Sequence, residues 1–250
     1  MALFEVRGLK KAFGPNRVLD GLDLDIDAGE VITIIGESGS GKSLLLKMMM
    51  GLIMPDGGTI RFDGTEVTGQ TEQEWIQTRQ RIGMLFQESA LFDSLSVYEN
   101  VAYALREQTD MKEEEIATRV AETLQLVALP GIETMAPSDL SGGMRKRVAL
   151  ARAVAVRPEV VFYDEPAEGL DPINVTRVNR LLLGLKERLN VTSVVVTHNL
   201  KAAFAISDRL ALIHDGQVAA TGAPETFLES DDPVVREFIG DRMRKVLRAS

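Results

Sequence analysis

The chain has 250 residues, enough for one or two domains with a well-buried core, and a formal net charge of −9. This charge disfavours nucleic acid as a partner, because it repels phosphates, and the lack of cysteine excludes a disulfide framework. The N-terminus lacks the features of a signal peptide, and the most apolar segment, 44–54, is shorter than the ~20 residues of a membrane helix. These features predict a cytosolic protein that meets any membrane through a partner.

The N-terminal segment alternates apolar and polar residues between Leu3 and Asp27. This period of two predicts antiparallel strands with one face toward solvent. Phe13 lies beside Gly14, in the predicted loop between two of these strands. An isolated aromatic residue there more often fills a core than binds a ligand.

An apolar run over 31–35 leads into a segment that matches the pattern G-x-x-x-x-G-K-[ST] at every fixed position. The glycines of such a loop allow backbone N–H groups to surround an anion. Lys42 adds a charge for the outer phosphates, Ser43 a hydroxyl for magnesium, and the helix beginning at Lys42 its positive dipole end. A strand-to-helix turn that fits by chance is the disfavoured alternative. The segment predicts a nucleoside triphosphate site made of Gly36, Glu37, Ser38, Gly39, Ser40, Gly41, Lys42 and Ser43.

Turn signals divide the next part of the chain into short elements. A helix is predicted over 42–52, a hairpin over 59–67 with Asp63-Gly64 as its turn, and a helical or irregular segment over 71–81. An apolar strand beginning at residue 82 is predicted to end at Gln87.

Helical spacing of apolar residues dominates from Ser96 to Leu129 and predicts a small helical subdomain. A further helix opens at Leu140-Ser141-Gly142-Gly143. The serine and glycines at this helix N-terminus offer a second anion site.

Two more buried strands are predicted at 160–163 and 193–197, joined by a helical segment that implies a right-handed parallel crossover. The first strand ends in Asp164-Glu165 and the second in His198. Ligands bind beyond the carboxyl ends of parallel strands. We therefore expect the phosphate loop, Gln87, the acidic pair and His198 to share one sheet edge.

A phosphate loop alone fits kinases, GTPases and motor ATPases equally well, and the acidic pair Asp164-Glu165 narrows this choice of protein class. Asp164 is suited to accept magnesium, and Glu165 to orient or deprotonate a water aimed at the γ-phosphate. The alternative for an acidic pair after a strand is a helix N-cap. His198 could hydrogen-bond the γ-phosphate and hold Glu165 in place, whereas His214, beside the predicted hairpin over 210–220, suggests no special role.

These motifs, in this order, resemble the nucleotide-binding subunit of ATP-binding-cassette (ABC) transporters over nearly the whole chain. Residues 140–143 resemble the signature sequence, Gln87 the Q-loop, Gly169-Leu170-Asp171 the D-loop and His198 the switch histidine. The resemblance implies that Phe13 stacks on adenine, Asp171 contributes to nucleotide binding, and Gln87 serves catalysis and the metal. It also implies that Ser141, Gly142 and Gly143 contact the γ-phosphate held by a second copy, so that two copies close around two ATP molecules.

The implied fold is α/β: a phosphate-loop NTPase core with a mainly parallel sheet, an antiparallel β subdomain and a small helical subdomain, within one ABC ATPase domain over 1–250. We expect the core over 1–90 and 155–231, the helical subdomain with the signature over 91–154, and a tail helix over 232–250.

The tail has an apolar face that needs a covering surface. It either docks on its own subunit or reaches the second ATPase subunit or an accessory partner, and the resemblance favours the latter. Contact with anionic lipid is a weaker option. The apolar face comprises Val235, Phe238, Ile239, Met243 and Val246, and the basic residues around it are Arg236, Arg242, Arg244, Lys245 and Arg248.

Softer motifs over 86–107 and 232–238, and Met144 after the signature, resemble the ATPase subunit of Mla or MCE-type phospholipid transporters of Gram-negative envelopes. This branch implies a membrane permease docked near 90–105, with MCE-type lipid-binding and small accessory subunits as further candidates. It places the chain at the cytoplasmic face of the bacterial inner membrane.

One alternative stays open: the same ATPase could serve an importer or exporter of another solute. A soluble ABC ATPase of translation or DNA repair is disfavoured, because the first usually carries two cassettes and the second a long coiled-coil insertion, and neither is present in these 250 residues. The chain departs from the family pattern at Ala167-Glu168, before the D-loop glycine, and at Asn199, after the histidine. Neither departure removes a catalytic group.

Overall fold

The computed structural model describes residues 2–240, 243, 246 and 247. The described residues form two compact units, a first unit within 1–77 and 192–250 and a second unit within 78–191. The subdomain boundaries expected at 90/91, 154/155 and 231/232 come from the family resemblance and stay a prediction.

In chain order the elements are β1 Ala2–Phe13, β2 Asn16–Asp27, β3 Val31–Gly36, α1 Lys42–Met49, β4 Gly57–Phe62, β5 Thr65–Glu66, α2 Glu72–Gln80, β6 Ile82–Leu85, α3 Val97–Gln108, α4 Glu113–Leu126, α5 Gly142–Val154, β7 Val160–Asp164, α6 Pro172–Leu189, β8 Thr192–Val196, α7 Leu200–Ile206, β9 Arg209–His214, β10 Gln217–Gly222, α8 Pro224–Glu229 and α9 Pro233–Ile239. None of the helices in this described part of the chain combines the length and apolar character needed to cross a membrane.

The first unit contains an antiparallel sheet with strand order β2-β1-β4-β5. The period of two places Phe4 opposite Ile26 on one side and Phe62 on the other, with all three buried. The Phe4 and Phe62 rings stack with centroids 4.6 Å apart. The predicted antiparallel strands and the hairpin turning at Asp63-Gly64 are therefore confirmed.

The first unit also contains strands in the order β10-β9-β3-β8, in which β3 pairs in parallel with both β8 and β9. All residues of β3 and β8 are buried, as expected for strands covered on both faces. Strand β9 turns into β10 as the hairpin predicted around residues 215–216. The carboxyl ends of β3 and β8 are neighbours, because Ile34 lies opposite Val196.

The second unit pairs β6 with β7 in parallel, with Leu85 opposite Tyr163. Helices α3, α4 and α5 pack on one another, each through the apolar face that its spacing predicted. Ser96 is the N-cap of α3, and its side chain forms a reciprocal capping box with Glu99.

Several predicted ends differ from the structure. Strand β6 ends at Leu85, before Gln87, and helix α1 ends at Met49, before residue 52. A local turn follows each element: the Gly51 N–H donates to the Met48 carbonyl, and the Ser89 N–H donates to the Phe86 carbonyl, each at 3.0 Å. Turn residues thus replace the last residues of the predicted elements.

The predicted continuous tail helix is wrong. Helix α9 ends at Ile239, and Gly240 follows with a φ of 69°, a left-handed conformation that favours glycine and stops a helix. Val235 and Ile239 are 1% and 3% exposed and pack with Phe227 in a core cluster of the first unit.

The tail therefore docks on its own subunit through Val235 and Ile239, which corrects the preference for an intermolecular contact by these residues. Phe238 and Met243 are partly buried against the same cluster, whereas Val246 is exposed. The expectations for Arg242, Arg244, Lys245 and Arg248 fall outside the described residues.

Candidate nucleotide site

The phosphate-binding segment connects β3 to α1, and its backbone shape depends on glycine. Gly39 and Gly41 have φ values of 84° and 96°, which residues with a Cβ rarely adopt. A Cβ on Gly36 would lie 2.6 Å from the Ile213 carbonyl oxygen, and one on Gly41 would lie 2.7 Å from a Leu19 methyl carbon. Contacts with β9 and β2 therefore exclude a side chain at Gly36 and Gly41, and the backbone curvature of the loop favours glycine at Gly39 and Gly41.

Lys42 is buried at the start of α1. Its ammonium donates to the carbonyl oxygens of Gly36 at 3.0 Å and Glu37 at 2.7 Å, across the loop. The Ser40 hydroxyl is buried and has no hydrogen-bond partner among the described residues. A phosphate oxygen would supply that partner, so the loop fits the nucleotide that its sequence predicts.

A groove of about 380 Å³ lies beside this loop in the first unit. Its walls are the loop itself, the start of β2, and the end of β9 with the turn that follows it. They contribute residues 37–40, residues 16–18 with Asp20, and residues 213–216. His214, for which the sequence suggested no role, is one of the lining residues.

Phe13 is 54% exposed at the end of β1, so the interpretation of this ring as a core residue is wrong. The Lys11 ammonium lies 5.7 Å from the Phe13 ring centroid. An exposed aromatic ring on the nucleotide-binding unit is the kind of surface on which a base can stack.

His198 is exposed and follows β8, next to the carboxyl end of β3 from which the phosphate loop departs. Asn199, the departure from the family pattern, is the N-cap of α7 and accepts the Ala202 N–H at 3.1 Å. It thus replaces the usual aspartate in a role that asparagine performs equally well. Within the first unit, the predicted convergence of His198 with the phosphate loop at one sheet edge is confirmed.

The second unit brings Gln87 and the acidic pair to one edge, since β6 and β7 are parallel neighbours. Asp164 and Glu165 are 4% and 9% exposed. No helix begins at this pair, so the N-cap interpretation is wrong. Glu165 instead has a φ of 47° in a turn, a left-handed conformation that costs a residue other than glycine some backbone strain.

Two further side chains join this edge and were missed by the sequence analysis as site residues. The Gln87 side-chain amide donates to the Glu168 carboxylate at 2.5 Å. The Lys146 ammonium donates to the backbone carbonyls of Gln87 at 3.1 Å and Glu165 at 3.0 Å. Burial lowers the pKa of Lys146, and the carboxylates of Glu168, Glu165 and Asp164 act in the opposite direction.

The signature segment forms the N-terminus of α5. Ser141 is the N-cap and accepts the Met144 N–H at 3.3 Å, and both Ser141 and Gly142 are exposed. Gly143 is buried against α6, where a Cβ would lie 3.2 Å from the Asn174 side chain. The predicted helix N-terminus is confirmed, and its exposed residues face away from the packed interior.

Asp171 is the N-cap of α6 and accepts the N–H groups of Ile173 at 3.0 Å and Asn174 at 3.1 Å. The bonds from the Asn174 backbone and side chain lower the pKa of the Asp171 carboxyl. Its carboxylate therefore caps the first turn of α6. The nucleotide-binding role of Asp171 stays a prediction.

The ABC transporter family model matches residues 19–168. A relative from Mycobacterium leprae, named "Probable ribonucleotide transport ATP-binding protein mkl", is 42% identical over 95% of this chain and 69% of its own length. The intermembrane phospholipid transport system ATP-binding protein MlaF of Haemophilus influenzae is 40% identical over 95% of this chain and 90% of its own. The chain spans about two thirds of the length of the mycobacterial relatives.

A solved structure gives the same result at the level of the fold. An ATP-binding cassette determined as a dimer in a post-hydrolysis state, with ADP and inorganic phosphate, superposes with a TM-score of 0.81 at 31% identity. The superposition covers 88% of this chain and 98% of the other. It confirms the predicted α/β fold.

Fold and site together define a phosphate-loop nucleoside triphosphatase. The chain belongs to the ABC transporter family of ATP-binding subunits and is an ATPase of that family.

Proposed function

We propose that the chain binds and hydrolyses ATP to power phospholipid transport across a cell envelope, as the ATPase subunit of a complex with a membrane permease. The observation that carries this proposal is the 40% identity to a phospholipid transport ATPase over 95% of this chain and 90% of the relative. The permease would hold the chain at the cytoplasmic face of the inner membrane, with MCE-type lipid-binding and small accessory subunits as further partners.

The proposed hydrolytic roles follow the resemblance of these residues to the family motifs. Ser43, Asp164 and Gln87 are the proposed ligands of Mg²⁺, which would neutralise the charge of the outer phosphate oxygens. Lys42 binds the same phosphates, and Glu165 holds or deprotonates the attacking water. His198 hydrogen-bonds the γ-phosphate.

The exposed signature residues support a second copy as partner. Ser141 and Gly142 present an uncovered helix N-terminus, which favours the binding of a phosphate. The proposed functional form is a homodimer in which each copy's signature meets the ATP bound to the other.

A groove on the second unit supports the permease as partner. It has a volume of about 330 Å³ and is lined by residues of 82–108 together with Arg152, Ala153 and Val156. Phe92 and Tyr103 are 44% and 46% exposed, with ring centroids 5.1 Å apart. Exposed aromatic rings beside a groove are typical of a protein interface. The groove falls in the segment for which the sequence predicted permease docking.

The second candidate is the same ATPase in a transporter for another solute. The mycobacterial relative named for ribonucleotide transport supports it, at 42% identity. The deciding experiment purifies the native complex and identifies its subunits and bound lipid by mass spectrometry.

Reconstituted complex should then move labelled phospholipid between vesicles only with ATP and Mg²⁺. A complex that transports a labelled nucleotide but no phospholipid would contradict the lipid assignment and leave the ATPase assignment intact.

A further inference from the structure

Lys146 places a buried positive charge behind the hydrolytic residues of the second unit. It lies on α5, is 8% exposed, and donates to two backbone carbonyls that are far apart in sequence. One carbonyl belongs to Gln87, 59 residues away, and the other to Glu165, 19 residues away. Neither carbonyl lies within a helix or strand, so Lys146 orders backbone that secondary structure does not order.

The same backbone is linked a second time through Glu168. The Glu168 N–H donates to the Glu165 carbonyl at 3.2 Å, and its carboxylate accepts from the Gln87 side chain at 2.5 Å. Lys146 and Glu168 therefore close a ring of hydrogen bonds that includes both Gln87 and Glu165. In such a ring the position of one residue constrains the position of the other.

An apolar residue would fill this core-facing position without the cost of removing an ammonium from water. Burial does disfavour the charged form, since it lowers the pKa of Lys146. What the ammonium provides instead is control of Glu165, whose backbone is strained at a φ of 47°. A strained conformation persists only where its surroundings hold it.

We propose that Lys146 is a positioning residue for ATP hydrolysis, which holds the backbones of Gln87 and Glu165 in one fixed arrangement. The inference rests on the proposed roles of Gln87 and Glu165. The segment that follows Gln87 also lines the groove proposed for the permease, through Ala90 and Phe92. Lys146 thus connects this groove to the turn that carries the general base.

The test replaces Lys146 by methionine, a side chain of similar length without a donor. Full-length Lys146→Met should lower kcat for ATP hydrolysis ~10- to 100-fold, the effect of a misplaced catalytic group. Its Kd for ATP should stay within about threefold of wild type, because Lys146 is proposed to position the residues of the chemical step and not those that bind the nucleotide.

Arg119→Met is the matched control. Arg119 lies on α4, is partly buried, and donates to the backbone carbonyl of Ala155 at 3.1 Å, just after α5. Ala155 is not a predicted site residue. Arg119→Met removes a hydrogen bond of the same kind and should keep kcat within about threefold of wild type, with any loss confined to thermal stability.

Equal losses of kcat in the two variants would overturn the positioning role, as would a wild-type kcat in Lys146→Met. If Lys146→Met does not fold, Lys146→Arg carries the test, since its donors sit at different positions and should also lower kcat at unchanged Kd. Glu165→Gln separates the two proposals. Full hydrolysis by Glu165→Gln contradicts the proposed function, whereas slow hydrolysis there with normal Lys146 variants contradicts only this inference.

Discussion

Lys42 is the residue on which nucleotide binding depends most directly. Lys42→Ala should weaken ATP binding at least ~10-fold, the effect of removing one hydrogen bond to a charged group. Titration with a fluorescent ATP analogue measures this loss. Lys47→Ala is the control, because Lys47 lies on the same helix outside the phosphate loop. Near-wild-type affinity of Lys42→Ala, with its fold verified by thermal melting, would refute the assignment of the loop.

Among the elements, the segment before α3 is expected to join the ATPase to its permease. Phe92→Asp puts a charge into the groove beside Tyr103 and should reduce ATP-driven lipid transport at least ~10-fold, because a buried unpaired charge opposes docking. Basal hydrolysis by the isolated subunit should stay near wild type. The control is Ile76→Asp, at an apolar residue outside the groove that is even more exposed than Phe92. Full transport by Phe92→Asp would exclude the groove as the docking site.

The described part of the tail packs in the hydrophobic core of the first unit. Ile239→Ala should lower the free energy of unfolding by ~2–5 kcal/mol, because it leaves a cavity beside Phe227. The melting temperature should fall by about 5 °C or more, as measured by calorimetry. Val246→Ala, at an exposed site, should change stability by less than about 0.5 kcal/mol. A loss of dimer in Ile239→Ala without a loss of monomer stability would restore the intermolecular interpretation.

For the whole molecule, the central expectation is a dimer that closes on ATP and opens after hydrolysis. Glu165→Gln should slow hydrolysis at least ~10²-fold, the lower end of what a general base contributes. It should then accumulate as an ATP-bound dimer in sedimentation experiments with ATP and Mg²⁺.

The double variant Glu165→Gln/Gly142→Arg tests the route by which that dimer forms. Apart from the residues next to Gly142 and the backbone of α5 itself, no heavy atom of the described residues lies within 4 Å of a Cβ built there, so the fold tolerates a side chain. The added arginine should obstruct contact between the signature and the other copy. We expect the double variant to bind ATP as a monomer. A dimer of undiminished stability would show that the signature is not at the interface.

Local patterns were sufficient for the strands, most helices and the phosphate loop. Each depends on residues close together in sequence: a period of two, a period of 3.6, or the glycines and lysine of residues 36–43. The acidic pair and the signature could also be identified from the sequence, because each consists of contiguous residues and because the order of the motifs along the chain resembles one family. Even the departure at Asn199 could be interpreted locally, because an N-cap involves only the next few residues.

Tertiary structure decided what depends on residues distant in sequence. The exposure of Phe13, the docking of Ile239 on Phe227 and the contacts of Lys146 all follow from which segments pack together, and no periodicity records this. Lys146 is the clearest case, because a lysine three residues after Gly143 has the sequence appearance of an ordinary surface residue. Its function follows only from the burial of its ammonium between two carbonyls that the chain brings together from 59 and 19 residues away.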